Sequence, residues 1–277
     1  MANVPEEEAI EIIFKAIALS KNLSQEWILK GGNALKKVFH SPRASVDLDF
    51  TEKTVVSNES EVTLRQLLAE VVQELDENLQ KLVRSSSFEA LVIQRTEIKP
   101  VNVDYREHPA FEIKVGYSKR RDRNQPYPDV VKLEITLNDT VCEDEPYLID
   151  GSELKVCSLN DIIAEKLRSL IQQKKAIRNR SRPNDVFDIW FFHTHLPSQF
   201  DYKKIATFLV KKSEGKVDRQ LVTKSTFIED EEIKEKAAVD FEDIAERVGV
   251  IDRFPTFEEA YTEVLAVVKK LPIPDQE

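Results

Sequence analysis

Two carboxylates that could hold a metal ion, Asp47 and Asp49, lie one residue apart in the sequence VDLDF. Because successive side chains of a β-strand point to opposite faces, this alternation predicts that Val46, Leu48 and Phe50 pack on one face and both acids project from the other. Like charges this close repel each other unless a cation lies between them. Mg²⁺ is commonly held by one or two carboxylates together with substrate phosphates. The pair therefore suggests a divalent-metal site, although a solvated strand face is the common structural alternative.

The only Gly-Gly pair of the chain, Gly31 and Gly32, lies upstream of these acids, in a sequence with just 6 glycines among 277 residues. It separates a short apolar run at residues 27–29 from a helix-like segment at residues 33–39. Backbone without a Cβ atom can approach a bound group and offer its N–H groups to phosphate oxygens. A plain turn would explain the pair alone. The order of strand, glycine turn, helix and Asp-x-Asp strand predicts a nucleotide and metal site.

A second alternating strand is predicted at residues 130–137, VVKLEITL, and it carries Glu134 on its polar face. If this strand pairs with the Asp-x-Asp strand, Glu134 could complete a metal site with Asp47 and Asp49. Glu112 competes for the role because its surroundings also alternate. A surface arrangement of lysines and glutamates across strands explains either acid equally well, so the sequence leaves the choice open.

A helix is predicted to begin after Ser158, the N-cap of a start resembling a capping box, SLND. Lys166 lies near the middle of the apolar stripe of this helix, whereas Arg168 faces the opposite way. A lysine in that position either extends its ammonium group to water or reaches into a cleft and meets an anion.

The next helix, in the sequence NDVFDIWFF, is apolar nearly all round, and its only acids are Asp185 and Asp188. Buried carboxylates need partners, and Lys166 is the obvious candidate. The pairing indicates either a structural link between two helices or a phosphate-binding lysine oriented by an acid. His193 and His195 follow, and we interpret both as structural because no third metal ligand lies at a fixed spacing.

Residues 166–182 carry seven basic side chains and no acid, which makes them the strongest basic run in a chain of net charge −10. A solvated loop is the plain explanation. Beside the predicted site, the run, which ends at Arg182, favours contact with a triphosphate or an RNA backbone. The net charge argues against broad non-specific nucleic-acid binding but allows a local basic groove.

The composition, with 41% hydrophobic and 32% charged residues, is that of a soluble globular protein. No apolar run approaches the ~20 residues that a membrane helix needs, and the acidic N-terminus lacks the basic start of a secretory signal. The two cysteines, Cys142 and Cys157, make neither a disulfide framework nor a metal knuckle. These features predict reduced thiols in a cytoplasmic protein with no membrane contact.

Strong strand patterns are confined to the first part of the chain, and helical patterns dominate after residue 154. The first part contains predicted helices at residues 5–20 and 60–83, strands within residues 88–115 and a polar loop at residues 119–128. Later helices are predicted at residues 202–212, 231–248 and 256–271. We therefore predict one domain of residues 1–154 and a mostly helical domain of residues 155–277.

Taken together, these motifs resemble the AbiEii/AbiGii-type toxin nucleotidyltransferases, which belong to the DNA polymerase β-like superfamily and include MenT toxins among their relatives. The resemblance is carried by LKGGNALKKVF, RASVDLDF, a strand with KLEI, then IIAEKLRSL, and a basic stretch followed by NDVFDIW. It implies an α/β (α+β) nucleotidyltransferase domain with a mixed sheet, followed by a mostly helical C-terminal domain that completes the active-site cleft.

The resemblance also assigns roles to individual positions. The matches are Gly31 and Gly32 for the glycine turn, Ser45 for the small polar residue before the acids, Asp47 and Asp49 for the metal pair, Lys166 for the lysine of the Glu-Lys-Leu helix, and Asp185 and Asp188 for the two acids of the Arg-Asp-x-Tyr-Asp-type motif. Three positions depart from the pattern: Asn184 replaces the usual arginine, Phe187 lacks the aromatic hydroxyl, and Asn33 stands where threonine is frequent.

We therefore expect catalytic roles for Asp47, Asp49, Lys166 and Asp185. Nucleotide contacts are expected from Gly31, Gly32, Ser45, Lys166, Arg182 and Asp188, and metal ligation from Asp47, Asp49 and Glu134. The resemblance implies Mg²⁺- or Mn²⁺-dependent transfer of a nucleoside monophosphate from an NTP to an RNA hydroxyl, such as the 3′ end of tRNA, and a cognate antitoxin. The alternatives are transfer to a small molecule or protein, and a non-catalytic nucleotide-binding module.

Overall fold

A computed structural model describes residues 4–53, 61–99, 109–118 and 129–276. Its strands are β1 (Trp27–Lys30), β2 (Leu48–Glu52), β3 (Ala90–Lys99), β4 (Ala110–Ser118), β5 (Asp129–Thr136), β6 (Asp144–Ile149) and β7 (Ser152–Cys157). They form one sheet in the order β3-β4-β5-β2-β1-β7-β6. β2 runs parallel to β5 and antiparallel to β1, so the sheet is mixed, as the resemblance implies.

The described residues of the first part of the chain form four helices: α1 (Val4–Ala18), α2 (Leu23–Glu26), α3 (Gly31–Lys37) and α4 (Glu61–Val83). α1 and α4 pack against each other and against the sheet. α4 confirms the helix predicted at residues 60–83, and its Leu64, Leu68 and Leu75 side chains are buried. The polar loop predicted at residues 119–128 lies outside the described residues.

The Asp-x-Asp segment enters the sheet later than its alternation suggests. β2 begins at Leu48, and Val46 is 43% exposed, so the prediction that Val46 packs with Leu48 is wrong. The amide Nδ2 of Asn33 donates hydrogen bonds to the carbonyl oxygens of Ser45 (3.1 Å) and Asp47 (2.7 Å). These bonds tie the segment to α3, and Asp47 therefore projects from the entrance of the strand.

The second part of the chain is helical: α5 (Leu159–Ile171), α6 (Pro183–His195), α7 (Tyr202–Ser213), α8 (Lys224–Glu229), α9 (Glu231–Ala238) and α10 (Phe257–Lys270). Ser158 caps α5 by accepting a hydrogen bond from the backbone N–H of Asp161, as predicted. The single helix predicted at residues 231–248 is wrong. α9 ends at Ala238, and Asp240 has a φ of 59°, which an α-helix cannot accommodate.

The helical part is tied to the sheet by three side chains that hold the segment between β5 and β6. Lys212 donates to the carbonyl oxygen of Thr140 (2.6 Å), Lys216 pairs with Asp139 (2.5 Å), and the Asp161 carboxylate accepts the backbone N–H of residue 142 (2.6 Å). The predicted boundary after residue 154 falls within β7, so the sheet continues to the end of that strand. Buried apolar residues of both parts form one cluster.

Cys142 and Cys157 are both free thiols, and Cys157 is buried. Among the helices of the described ranges, none has the length and apolar character needed to cross a membrane.

Candidate active site

A cleft of about 870 Å³ lies where the end of β1, the segment before β2, and β5 face α5 and the start of α6. Ligand sites of enzymes are typically clefts of this size. All but one of the predicted site residues line it: Gly31, Gly32, Ser45, Asp47, Asp49, Glu134, Lys166, Arg182 and Asp185. Residues predicted from distant parts of the sequence therefore meet in one place.

The glycine turn is required because the predicted site residues pack directly on its backbone. Gly31 has a φ of +69°, and a Cβ atom there would lie 2.5 Å from Oδ2 of Asp49. A Cβ atom on Gly32 would lie 2.5 Å from Oγ of Ser45. Any larger residue would therefore displace the carboxylate and the hydroxyl. The turn leaves a cradle beside Asp49 that only a pair of glycines can provide.

Asp49 is a partly buried carboxylate with insufficient compensating charge. Burial raises its pKa to about 6, and the nearby carboxylates of Glu134 and Asp47 act in the same direction. The ammonium group of Lys30, its neighbour across the β1–β2 ladder, opposes the shift without cancelling it. A carboxylate in this condition gains from any additional cation.

The register of the sheet places the two candidate third carboxylates in different surroundings. Asp49 and Glu134 are direct neighbours across the parallel β2–β5 pair, and Glu134 lines the cleft. Glu112 lies one strand further out, where hydrogen bonds from Lys99 and charge from Lys114 lower its pKa. Glu134 therefore lies beside Asp49 in the cleft, whereas Glu112 lies one strand away and is paired with Lys99 and Lys114.

The carboxylates suit a metal ion that is shared with a ligand. No group of three or more His, Cys, Asp or Glu side chains is arranged as a complete metal site in the part of the chain that the structure describes. Mg²⁺ usually takes only one or two protein carboxylates and completes its shell with phosphate oxygens and water. Asp47 and Asp49, with the raised pKa of Asp49 and the cradle at Gly31, fit that form of binding.

The opposite wall of the cleft carries a fully paired set of charges. Nζ of Lys166 lies 2.8 Å from both Oδ1 of Asp185 and Oδ2 of Asp188. Arg43 donates two hydrogen bonds to Asp188, from Nε (2.9 Å) and from its terminal nitrogen (2.7 Å). The partnership of Lys166 with these acids, predicted from the sequence, is confirmed. Arg43 is the additional member that the sequence did not reveal.

Asp188 lies behind the cleft. Its side chain is 0% exposed, and Arg43 and Lys166 occupy its oxygens. Burial alone would raise its pKa, but the two cations outweigh burial and lower it. The predicted nucleotide contact of Asp188 does not fit this geometry, since these ion pairs would have to open. Asp188 instead positions Lys166 and Arg43.

A cationic rim borders the same wall. Its cleft-lining members are Arg168, Arg178, Arg180 and Arg182. Arg247 lines the cleft beside Ala44, whose backbone N–H donates to its carbonyl oxygen. Arg168, predicted to face away from Lys166, lines the cleft too and pairs with Glu165. The pKa of Arg178 is lowered by partial burial and by its arginine neighbours, so the rim has excess positive charge. An anion bound there would relieve this repulsion.

Two further features of the cleft could not be read from the sequence. Asp139 binds both Lys30 and Lys216 at 2.5 Å, and these cations lower its pKa despite its burial. Oδ1 of Asn184, next to Asp185, is buried and has no hydrogen-bond partner among the described residues. A buried, unpaired acceptor in a ligand-sized cleft is expected to meet a donor from a ligand or water.

The histidines predicted to be structural lie away from the cleft. His193 binds Glu263 through Nδ1 (2.6 Å) and Tyr202 through Nε2 (3.1 Å). His195 stacks on Phe191 with ring centroids 4.4 Å apart. Both rings therefore have packing and hydrogen-bonding roles within the helical part.

The architecture is similar to that of solved nucleotidyltransferase structures. The nucleotidyltransferase toxin MenT4 of Mycobacterium tuberculosis superposes with a TM-score of 0.53 at 16% identity, over 97% of this chain and 86% of that one. JHP933 of Helicobacter pylori gives a TM-score of 0.53 at 18% identity, over 95% and 89% of the two chains. No curated protein matches the sequence. At these identities the similarity defines the fold, which is that of a nucleotidyltransferase.

The family follows from the sequence of almost the whole chain. Residues 15–263 match the family described as nucleotidyl transferase AbiEii toxin, Type IV TA system. The chain belongs to the AbiEii family and is a nucleotidyltransferase enzyme. The match confirms the resemblance, the fold class and the enzyme class predicted from the motifs.

Proposed function

We propose that this enzyme moves a nucleoside monophosphate from an NTP to a hydroxyl of RNA, at the 3′ end of tRNA, and does so with Mg²⁺ or Mn²⁺. One observation carries the proposal. An underpaired carboxylate, Asp49, lies between a glycine cradle and Glu134, and across the cleft are Lys166 and a rim of arginines. Carboxylates that could hold a metal ion thus lie across the cleft from cations that could bind phosphate groups.

Asp47 and Asp49 would hold the metal ion, with Glu134 beside them. When bound, the ion supplies charge neutralisation at the phosphates and activation of the acceptor hydroxyl. The glycine turn would offer its backbone N–H groups to the phosphate oxygens, with the Ser45 hydroxyl beside it.

The phosphate-binding cation would be Lys166. Its ammonium group is held by Asp185 and Asp188, so it needs no reorganisation when a triphosphate arrives. Asp185 lines the cleft and would orient Lys166 from the front, while Asp188 does so from behind. Arg182, at the edge of the cleft, would add a second cation for the leaving pyrophosphate.

The arginine rim supports an RNA acceptor. The chain has a net charge of −10, so favourable contact with an RNA backbone must be local, and the rim is a local excess of cations beside the site. The family is a toxin family, and we propose a cytoplasmic toxin controlled by a cognate antitoxin.

The proposal is tested by incubating the protein with total RNA, Mg²⁺ and each α-³²P-labelled NTP, followed by a denaturing gel. We expect a labelled band of tRNA size that disappears in Asp49→Asn. Glu112→Gln is the matched control, because that acid lies in the same cross-strand row outside the cleft and should keep the band. Labelling of protein or a small molecule instead would contradict the RNA acceptor. No transfer and no NTP-dependent rise in melting temperature would contradict the catalytic assignment.

A further inference from the structure

Lys132 places a cation of the protein itself among the carboxylates that we assign to the metal. It shares a face of β5 with Glu134, and its Nζ atom lies 3.1 Å from Oδ2 of Asp47 and 3.8 Å from Oε2 of Glu134. Two of the three acids therefore already contact a positive charge that is tethered to the sheet.

This lysine is much freer to move than the lysine of the opposite wall. The Lys132 side chain is 31% exposed and Asp47 is 52% exposed, whereas Lys166 is only 8% exposed. Ion pairs with this exposure are weak, so a divalent ion can displace Lys132. The enclosed pairs of Lys166 offer no comparable route to exchange.

The neighbouring strand carries a second lysine whose acidic partner is different. Across the β4–β5 ladder, Lys132 lies directly opposite Lys114, which contacts Glu112 at 3.5 Å. Lys132 instead contacts Asp47 and Glu134. The two lysines are therefore adjacent cations with separate partners, and Lys114 is a matched control for Lys132.

We propose that Lys132 competes with the divalent ion for Asp47 and Glu134 and thereby makes metal binding depend on the nucleotide. Without nucleotide, Lys132 compensates the two carboxylates and weakens binding of a free ion. With nucleotide, phosphate oxygens complete the shell of the ion, and the ion outcompetes the lysine. The inference rests on the proposed metal-dependent transfer, and Lys132 is a positioning residue in it.

The test is a Mn²⁺ titration of the nucleotide-free protein, with free Mn²⁺ measured by electron paramagnetic resonance. We expect Lys132→Met to bind Mn²⁺ about tenfold more tightly than the natural protein. Lys132→Arg, which keeps the charge, and Lys114→Met, which removes the neighbouring cation, should both stay within about twofold of the natural protein. Adding Asp47→Asn and Asp49→Asn to Lys132→Met should abolish the gain. Thermal unfolding in EDTA verifies that every variant is folded.

The outcomes separate this inference from the proposed function. Equal Mn²⁺ affinity of the natural protein and folded Lys132→Met would overturn the inference alone. A gain as large in Lys114→Met would also overturn it, because general positive charge would then be the cause. Absence of Mn²⁺ binding at Asp47 and Asp49 in every variant, with or without NTP, would overturn the metal assignment as well.

Discussion

The two walls of the cleft treat buried acids in opposite ways. On the helical wall, Asp188 is enclosed by Arg43 and Lys166, and its pKa is lowered. On the sheet wall, Asp49 lies beside two further carboxylates, and its pKa is raised to about 6. Burial alone raises the pKa of both acids, so the opposite directions arise from their partners.

The paired helical wall has the charge pattern of a structural support, whereas the underpaired sheet wall has that of a binding site. On the paired wall every acid already has its cations, and the ion pairs fix the positions of the cations that we propose for substrate binding. On the underpaired wall the carboxylates lack sufficient positive charge, and their electrostatic energy becomes favourable only when a further cation binds. Buried charge without compensation is costly, so a chain that keeps Asp49 in this position gives up stability for a site.

The largest expected effect is on transfer. Asp49→Asn keeps the shape of the side chain and removes its charge, and we expect initial rates to fall by about a thousandfold or more, because an interaction with the transition state is lost. Single-turnover labelling with NTP measures the change. Glu112→Gln should retain nearly full rate; an equal loss there would mean that the assignment by strand register is wrong.

Breaking the paired wall should affect folding first. Asp188→Asn leaves Arg43 and Lys166 without their shared counter-charge, and we expect the free energy of unfolding to fall by about 3–5 kcal/mol. Urea denaturation measures it. Glu77→Gln, an exposed acid on α4, should change it by less than about 0.5 kcal/mol. A small effect of Asp188→Asn would show that the pairs are weaker than their burial implies.

The glycine cradle offers a matched pair of substitutions. Gly31 and Gly215 both have a φ of +69°, but only Gly31 has Asp49 within the reach of a Cβ atom. Gly215→Ala should cost about 1 kcal/mol of stability through backbone strain alone. Gly31→Ala should cost about 2 kcal/mol more and abolish transfer, because the carboxylate must shift. Equal costs in chemical denaturation would argue against close packing of Asp49 on the turn.

The smallest expected effect is on the pH dependence of the free energy of unfolding, which should differ between the two walls. The pKa of Asp49 is raised from 3.8 to about 6 in the folded state, so the folded state binds more protons than the unfolded state between these values. Its contribution to stability therefore falls as pH rises through this window. In EDTA at pH 8, Asp49→Asn should gain about 1–2 kcal/mol of unfolding free energy, and the gain should vanish near pH 4.

Asp188 should give the opposite sign. Because its pKa is lowered on folding, its contribution is present above its unfolded pKa and is lost as pH falls through the lowered folded value. The destabilisation by Asp188→Asn should therefore persist from pH 8 down to pH 5 and shrink only in strong acid. Parallel denaturant titrations of the two variants check both signs, and the same sign in both would contradict the comparison.

Local patterns predicted much of the fold and brought most of the site together. The alternation around Glu134 predicted a third carboxylate if two strands paired, and the register now places it beside Asp49. The sequence did not reveal that Arg43 binds Asp188, because no periodicity connects positions 145 residues apart. Alternation also placed Val46 in the strand, whereas the Asn33 side chain holds that segment to α3. A local sequence pattern carries no information about which distant side chains will contact each other in the fold.

The contacts that hold the segment between β5 and β6 have a consequence for thermal unfolding of the chain. Lys212, Lys216 and Asp161 attach the helical part to the edge of the cleft on the sheet side. Neither the sheet part nor the helical part can separate or unfold alone without exposing charges and apolar surface that the other part covers. We expect a single cooperative unfolding transition followed equally by Trp27 in the sheet and Trp190 in the helices. The spacing between the two walls of the cleft then depends on the whole fold, and it is lost only when the protein unfolds globally.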